Sequence, residues 1–253
     1  MQDRYVGDVG DFAKYSLLRR LVTDVGAEPS LHLGIVWCLF PDESHNADGR
    51  HTTYLRKGNL RYLDPDVHDS LEALVIDGQR SVARVAAGRL FPGDTVFFGM
   101  PIARFRKRGR RLTPRERAEY RQEWLNRALE GTRDCDLVFL DPDNGLQTET
   151  IAKRDLKAGK YVFWDEISAF VERGQALVVY HHTNRTEPVP AQVTRLKQEF
   201  SRKIPGREVI ALVFRRGSCR VFWIVLEGAV TPLLKERVHG MMQTDWKLHF
   251  EMM

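Results

Sequence analysis

The segment Cys135-Asp136-Leu137-Val138-Phe139-Leu140-Asp141-Pro142-Asp143-Asn144-Gly145 constrains the fold more than any other. An apolar run stops abruptly at an acid, a proline, a second acid, an amide and a glycine. Unbroken hydrophobicity predicts a strand covered on both faces by helices, as in a parallel sheet. Pro142 removes a backbone donor and Gly145 tolerates a positive φ, so the strand ends there in a tight turn. The turn sets Asp141, Asp143 and Asn144 at the carboxyl edge of a sheet, where open α/β folds bind ligands. The competing reading is a polar turn that only caps the next helix.

Elsewhere the periodicity alternates between helix and strand. Asp11 to Val25 reads as an amphipathic helix, and Leu31 to Phe40 as an apolar strand closed by Pro41-Asp42-Glu43. Ser44 to Tyr62 is polar and aperiodic, a long loop of the kind that often carries function. Pro65 to Ala87 reads as two helices broken at Asp77-Gly78, and Thr95 to Gly99 as a short strand. Arg115 to Leu129 is helical, Lys160 to Trp164 strand-like, Ala176 to His182 a strand and Pro188 to Lys203 a helix. Glu208 to Phe214 and Arg220 to Leu226 form a hairpin through Arg215-Arg216-Gly217-Ser218, followed by a helix from Thr231 to Gln243. This order predicts an α/β fold, Rossmann-like, with a mostly parallel sheet and a C-terminal antiparallel hairpin. No repeat or linker interrupts the chain, so residues 1–253 read as one domain with a basic insertion around 104–121.

Composition narrows the setting. With 253 residues and 43 % hydrophobic content the chain can bury a sizeable core. No apolar run approaches the ~20 residues of a membrane span, and Met1 to Tyr5 lacks a secretory pattern. Cys38, Cys135 and Cys219 are odd in number and far apart, which fits reduced core thiols and a cytoplasmic location. The formal charge of +5 is unevenly spread. Arg104, Arg106, Lys107, Arg108, Arg110 and Arg111 place six bases in eight residues, and Arg115, Arg117 and Arg121 follow. Such a run either binds nucleic-acid phosphates or is a solvated loop.

The acids allow a metal-dependent reading as well. Asp42, Glu43, Asp48, Asp141, Asp143, Asp165 and Glu166 all fall at or after predicted strand ends, with His45, His51, His181 and His182 in similar places. Convergent carboxylates would hold magnesium or manganese and activate water against a phosphodiester. For Asp165 and Glu166 the alternative role is helix N-terminal charge.

A parallel sheet ending in a hairpin resembles S-adenosylmethionine-dependent methyltransferases. In their amino-methylating branch the fourth strand ends in Asp-Pro-Pro-Tyr/Phe, where this chain has Asp141-Pro142-Asp143-Asn144. The start, Tyr5 to Tyr15, resembles the bacterial ribosomal-RNA adenine methyltransferases that open with His-Ala-Gly-Asn-x-Ala-Asp-Val-Leu-Lys-His, matching at Gly7, Asp11 and Lys14, with Asp8 for Asn. Ala47-Asp48-Gly49-Arg50 stands where that group has Gly-Ala-Gly-Arg.

The resemblance implies S-adenosylmethionine as cofactor, held by Tyr5, Gly7, Asp8, Asp11, Lys14, Asp42, His45 and Asp48. It implies Asp141 as the residue that accepts a hydrogen bond from the modified group. Asp143 and Asn144 replace the stacking aromatic and imply a specificity other than ordinary adenine methylation. The remaining alternatives are a Mg/Mn-dependent nuclease and a catalytically silent nucleic-acid-binding module.

Overall fold

The computed structural model describes residues 1–23, 31–43 and 49–253. The chain opens with α1 (Val9–Val22), β1 (Leu33–Trp37), α2 (Thr53–Lys57), α3 (Pro65–Ile76) and α4 (Val82–Ala87). Next come β2 (Val96–Phe98), β3 (Arg106–Lys107), β4 (Arg110–Arg111), α5 (Pro114–Gly131) and β5 (Leu137–Asp141). Then follow β6 (Gly145–Leu146), β7 (Tyr161–Val162), α6 (Trp164–Val171), β8 (Ala176–His182) and α7 (Val189–Lys203). The last elements are β9 (Val209–Arg216), β10 (Ser218–Val225), α8 (Thr231–Met242) and β11 (Phe250–Met252).

Among the described residues, seven strands form one sheet in the order β11-β9-β10-β8-β5-β1-β2. The pairs β2–β1, β1–β5 and β5–β8 are parallel, whereas β8–β10, β10–β9 and β9–β11 are antiparallel. Five of the seven strands thus share one direction, an α/β Rossmann-like sheet closed by an antiparallel hairpin. Successive side chains point to opposite faces. Leu137 and Phe139 pack with α1, α3 and α8, while Val138 and Leu140 pack with α5, α6 and α7. Helices on both faces explain why β5 carries no polar residue before Asp141.

This topology positions the site. β2 lies on one side of β1 and β5 on the other, so the order reverses at β1, with Trp37 beside Asp141. Crevices at such a reversal are where open α/β sheets take ligands. The ends of β5 and β8 reach the same edge, and antiparallel β10 starts there, bringing Ser218 and Arg220.

Several expectations need correction. Only Gly217, with φ +70, separates β9 from β10, because Arg215, Arg216 and Ser218 stay in the ladder. The stretch after residue 49 is not all loop: α2 and a helical turn at Arg61–Leu63 bury Tyr54, Leu55 and Leu63. Tyr161–Val162 pairs with β6 in a separate two-stranded ladder. β11 adds an unforeseen edge strand, held by Phe250 packing on Phe214 and Trp246. Among the described residues no helix is long and apolar enough to cross a membrane.

Candidate functional site

Asp8 caps α1. Its carboxylate accepts from the Gly10 amide at 3.0 Å and from the His51 amide at 3.1 Å. A Cβ on Gly10 would stand 2.4 Å from Arg220 Nε, so only glycine lets the guanidinium lie against the helix start. Arg220 donates to Asp8 at 2.8 Å, to the Tyr180 hydroxyl at 3.2 Å and to the Arg216 carbonyl at 2.8 Å. Burial works against the Arg220 charge, but Tyr180 and Asp8 outweigh it and hold its pKa above the usual value.

One turn further, Lys14 stands between two acids. Its Nζ lies 2.8 Å from Asp11 Oδ1 and 2.8 Å from Asp141 Oδ2, with the rings of Tyr15, Phe139 and Tyr180 around it. Burial disfavours the ammonium, yet Asp11 and Asp141 more than compensate and raise its pKa well above the ordinary value. For Asp11 burial dominates and pushes the carboxyl up to about 6, against the pull of Lys14. Asp11 Oδ2 is buried and has no hydrogen-bond partner.

Three acceptors surround the Met1 amine. It donates to the Cys38 carbonyl at 2.8 Å and the Asp141 carbonyl at 3.0 Å, and lies 2.6 Å from Asp143 Oδ1. Gln2 donates to the other Asp143 oxygen at 2.6 Å. The turn after Asp143 is fixed from β8: the Asn144 carbonyl accepts from the His182 amide, and the Leu146 amide donates to His181 Nδ1. His182 Nδ1 donates to the Thr183 carbonyl at 3.0 Å, which can only accept, and Nε2 lies 3.1 Å from Ser218 Oγ.

These groups enclose a cavity of about 280 Å³. Tyr5, Asp8, Asp11, Lys14, Asp141, Asp143 and Asn144 all line it. Gly7 does not. It turns the chain with φ +86, packs against Val75 and accepts from the Tyr54 hydroxyl through its carbonyl.

Asp42 is exposed and also stands outside the cavity. Leu39 bridges to Pro101 and the Phe40 amide bonds the Met1 carbonyl, which carries the chain past the N-terminal residues before Asp42. His45 and Asp48 lie outside the described residues. Sequence reasoning missed Tyr180, Arg185 and Arg220. Arg220 left a signal, a cation inside the apolar run of β10 that required a buried acid partner.

Among the described residues, no three of the strand-end acids and histidines come within metal-ligand spacing of one another. Asp141 pairs with Lys14, Glu43 with Lys160, Glu166 with Arg121 and Asp165 with Lys153. Among the described residues the one group with ligand-like spacing is His68, Asp69 and Glu72, and there Asp69 is held by Arg61.

The basic segment forms the exposed two-stranded ribbon β3–β4. Arg104 lies 5.6 Å from the Tyr120 ring centre, and Arg110 forms a two-pronged pair with Glu116. Arg106, Lys107, Arg108 and Arg111 are exposed. Arg117 and Arg121 do not extend the charged surface: the first binds the Leu112 and Arg154 carbonyls, the second is buried against Glu166.

No protein-family model matches the chain, and neither curated proteins nor solved structures give a significant match.

Proposed function

We propose that this chain is an S-adenosylmethionine-dependent, methyltransferase-like enzyme that modifies nucleic acid at the cavity beside Asp141. The observation that carries the reading is the place of Asp141. It ends the strand next to the reversal point, and its carboxylate meets Lys14, which also holds Asp11, on the cavity wall. The mostly parallel sheet with a closing hairpin is the architecture the resemblance implies.

The donor set suits the cofactor. Asp11 Oδ2, buried and unpartnered, is an acceptor for an ammonium, and Tyr5 and Tyr180 supply aromatic wall. The cavity volume lies near the lower end of the ~300–1,000 Å³ of small-molecule sites. When bound, the cofactor supplies an electrophilic methyl group. Lys14 holds the Asp141 carboxylate in place, and Asn144 offers an amide to the acceptor. The exposed Arg106, Arg108 and Arg111 would hold phosphates. Because Asp141, Glu43, Glu166 and Asp165 are each engaged by a lysine or arginine, metal-assisted cleavage has less support.

Label transfer from S-adenosylmethionine to total cellular RNA and DNA is the test. Transfer by the wild type, lost in Asn144→Ala at unchanged thermal stability, is expected. Asn144 is the variant of choice because Asp141 also neutralises buried Lys14. Absence of both label transfer and cofactor-induced stabilisation would overturn the proposal.

A further inference from the structure

The β3–β4 ribbon has two features that folding alone does not explain. Arg106 sits directly opposite Arg111 across the ladder, and like charges so placed destabilise a strand pair. Arg108, at the tip, has φ +50 and is the one non-glycine residue with positive φ among the described residues. With Gly109 at φ +83 it makes a two-residue turn whose first position favours asparagine or glycine over arginine. An anion would offset the repulsion between the paired cations, and backbone strain like that at Arg108 clusters at functional sites.

We propose that this ribbon docks into the major groove of double-stranded DNA, with Arg106, Arg108 and Arg111 on backbone phosphates. A two-stranded ribbon matches the ~12 Å major groove of B-form DNA, whereas the A-form major groove is too narrow for side chains to read. Single strands are favoured by aromatic stacking platforms, and the ribbon offers none. Phe105, which leads into it, is packed edge-on against Phe40 with ring centres 5.7 Å apart. Arg110 is already neutralised by Glu116 and is left out of the contact. Leu112 closes the base by donating to the Phe105 carbonyl at 2.9 Å, and the Leu39–Pro101 bridge holds the preceding chain at the sheet edge that carries Asp141.

The inference rests on the nucleic-acid part of the reading above and is tested without cofactor. Binding of a labelled random-sequence DNA duplex is measured between about 50 and 200 mM salt, beside the matching single strand and RNA duplex. The duplex should bind most tightly. Arg106→Gln/Arg108→Asn/Arg111→Gln should weaken it about a hundredfold near 0.1 M salt and flatten the salt slope by about 3, at ~0.9 per phosphate lost. Asparagine tolerates the left-handed backbone, so Arg108→Asn alone should keep or raise the melting temperature while weakening binding. Arg110→Gln/Glu116→Gln, which removes both charges of that pair, should bind like the wild type.

Unchanged duplex affinity in the triple variant, or tighter binding of the single strand or the RNA duplex, would overturn the inference. Label transfer by a chain that fails these binding tests would leave the proposed chemistry standing and remove the ribbon's role.

Discussion

Lys14 and Asp141, 127 positions apart in the chain, meet with Nζ 2.8 Å from Oδ2, and each side chain is almost wholly buried. The contact fastens the first turns of α1 to the end of β5 and neutralises an acid that the sheet edge would otherwise bury alone. Removing one partner of a buried pair destabilises by about 3–5 kcal/mol because the other charge is stranded. Lys14→Met should therefore lower the urea midpoint by that equivalent. Adding Asp141→Asn should recover part of the loss, since one stranded carboxylate is removed. A single variant within about 1 kcal/mol of wild type would show that water reaches this pair.

Asp11 gives the fold a pH dependence of known sign. Its folded pKa, about 6, lies above the ordinary 3.8, so the native state binds its proton more tightly than the unfolded chain. Its stabilising contribution is complete below about pH 4 and fades as pH rises through about 6. The groups facing it are Lys14, Asp141 and Asp8, and the Lys14 pKa is displaced upward, away from this window. Unfolding free energy, measured from pH 4 to pH 7 for wild type and Asp11→Asn, should differ by an amount that changes across the window by on the order of 2–3 kcal/mol. A constant difference would mean that Asp11 titrates normally.

The strand pattern was legible because it follows from burial. β5 and β8 are read in place from unbroken apolar runs, and the hairpin from two runs around a glycine. In the cluster of Asp8, Asp11, Lys14 and Asp141, the first three were marked by the resemblance of the opening segment and Asp141 by the acidic end of an apolar run. What remained hidden depended on partners distant in sequence. Arg121 reads as one more base after a basic run, yet it is buried, donating to Glu166 at 2.7 Å and to the Tyr161 carbonyl at 2.8 Å. Glu166 reads as helix N-terminal charge and does accept from the Phe163 amide at 3.0 Å, but its main partner lies 45 positions away. Asp42 reads like Asp143, and only the path of Leu39 and Phe40 separates them.

The Arg121–Glu166 pair makes its own prediction. Glu166→Gln leaves a buried guanidinium without its carboxylate and should lower stability by about 3–5 kcal/mol. Nucleic-acid affinity should not change, because Arg121 is not on the surface. Urea unfolding and duplex binding read the two effects separately. A loss of affinity at unchanged stability would return Arg121 to the binding surface.

Gly145 is the residue on which the Asp143–Asn144 turn depends. Its φ of +111 is one that side chains rarely adopt, and a Cβ there would stand 2.3 Å from His181 Nδ1 and 2.6 Å from the His181 Cα. The backbone atom cannot swing aside, so Gly145→Ala combines conformational strain with overpacking, about 2–5 kcal/mol in all. The same contact requires an unprotonated His181 Nδ1, since the Leu146 amide donates to it at 3.1 Å. Burial enforces this by lowering the His181 pKa from 6.5 to about 3. A depressed histidine pKa stabilises the fold above about pH 6.5, and that contribution is lost as pH falls toward 3. Gly145→Ala should thus unfold at lower urea and speed hydrogen exchange at the Leu146 amide. It should also weaken the fall in stability that acid produces through His181, because the bond that favours the neutral ring is already broken. Wild-type stability with a protected Leu146 amide would show that the turn tolerates a side chain, and that β8 does not hold Asn144 in place through His181.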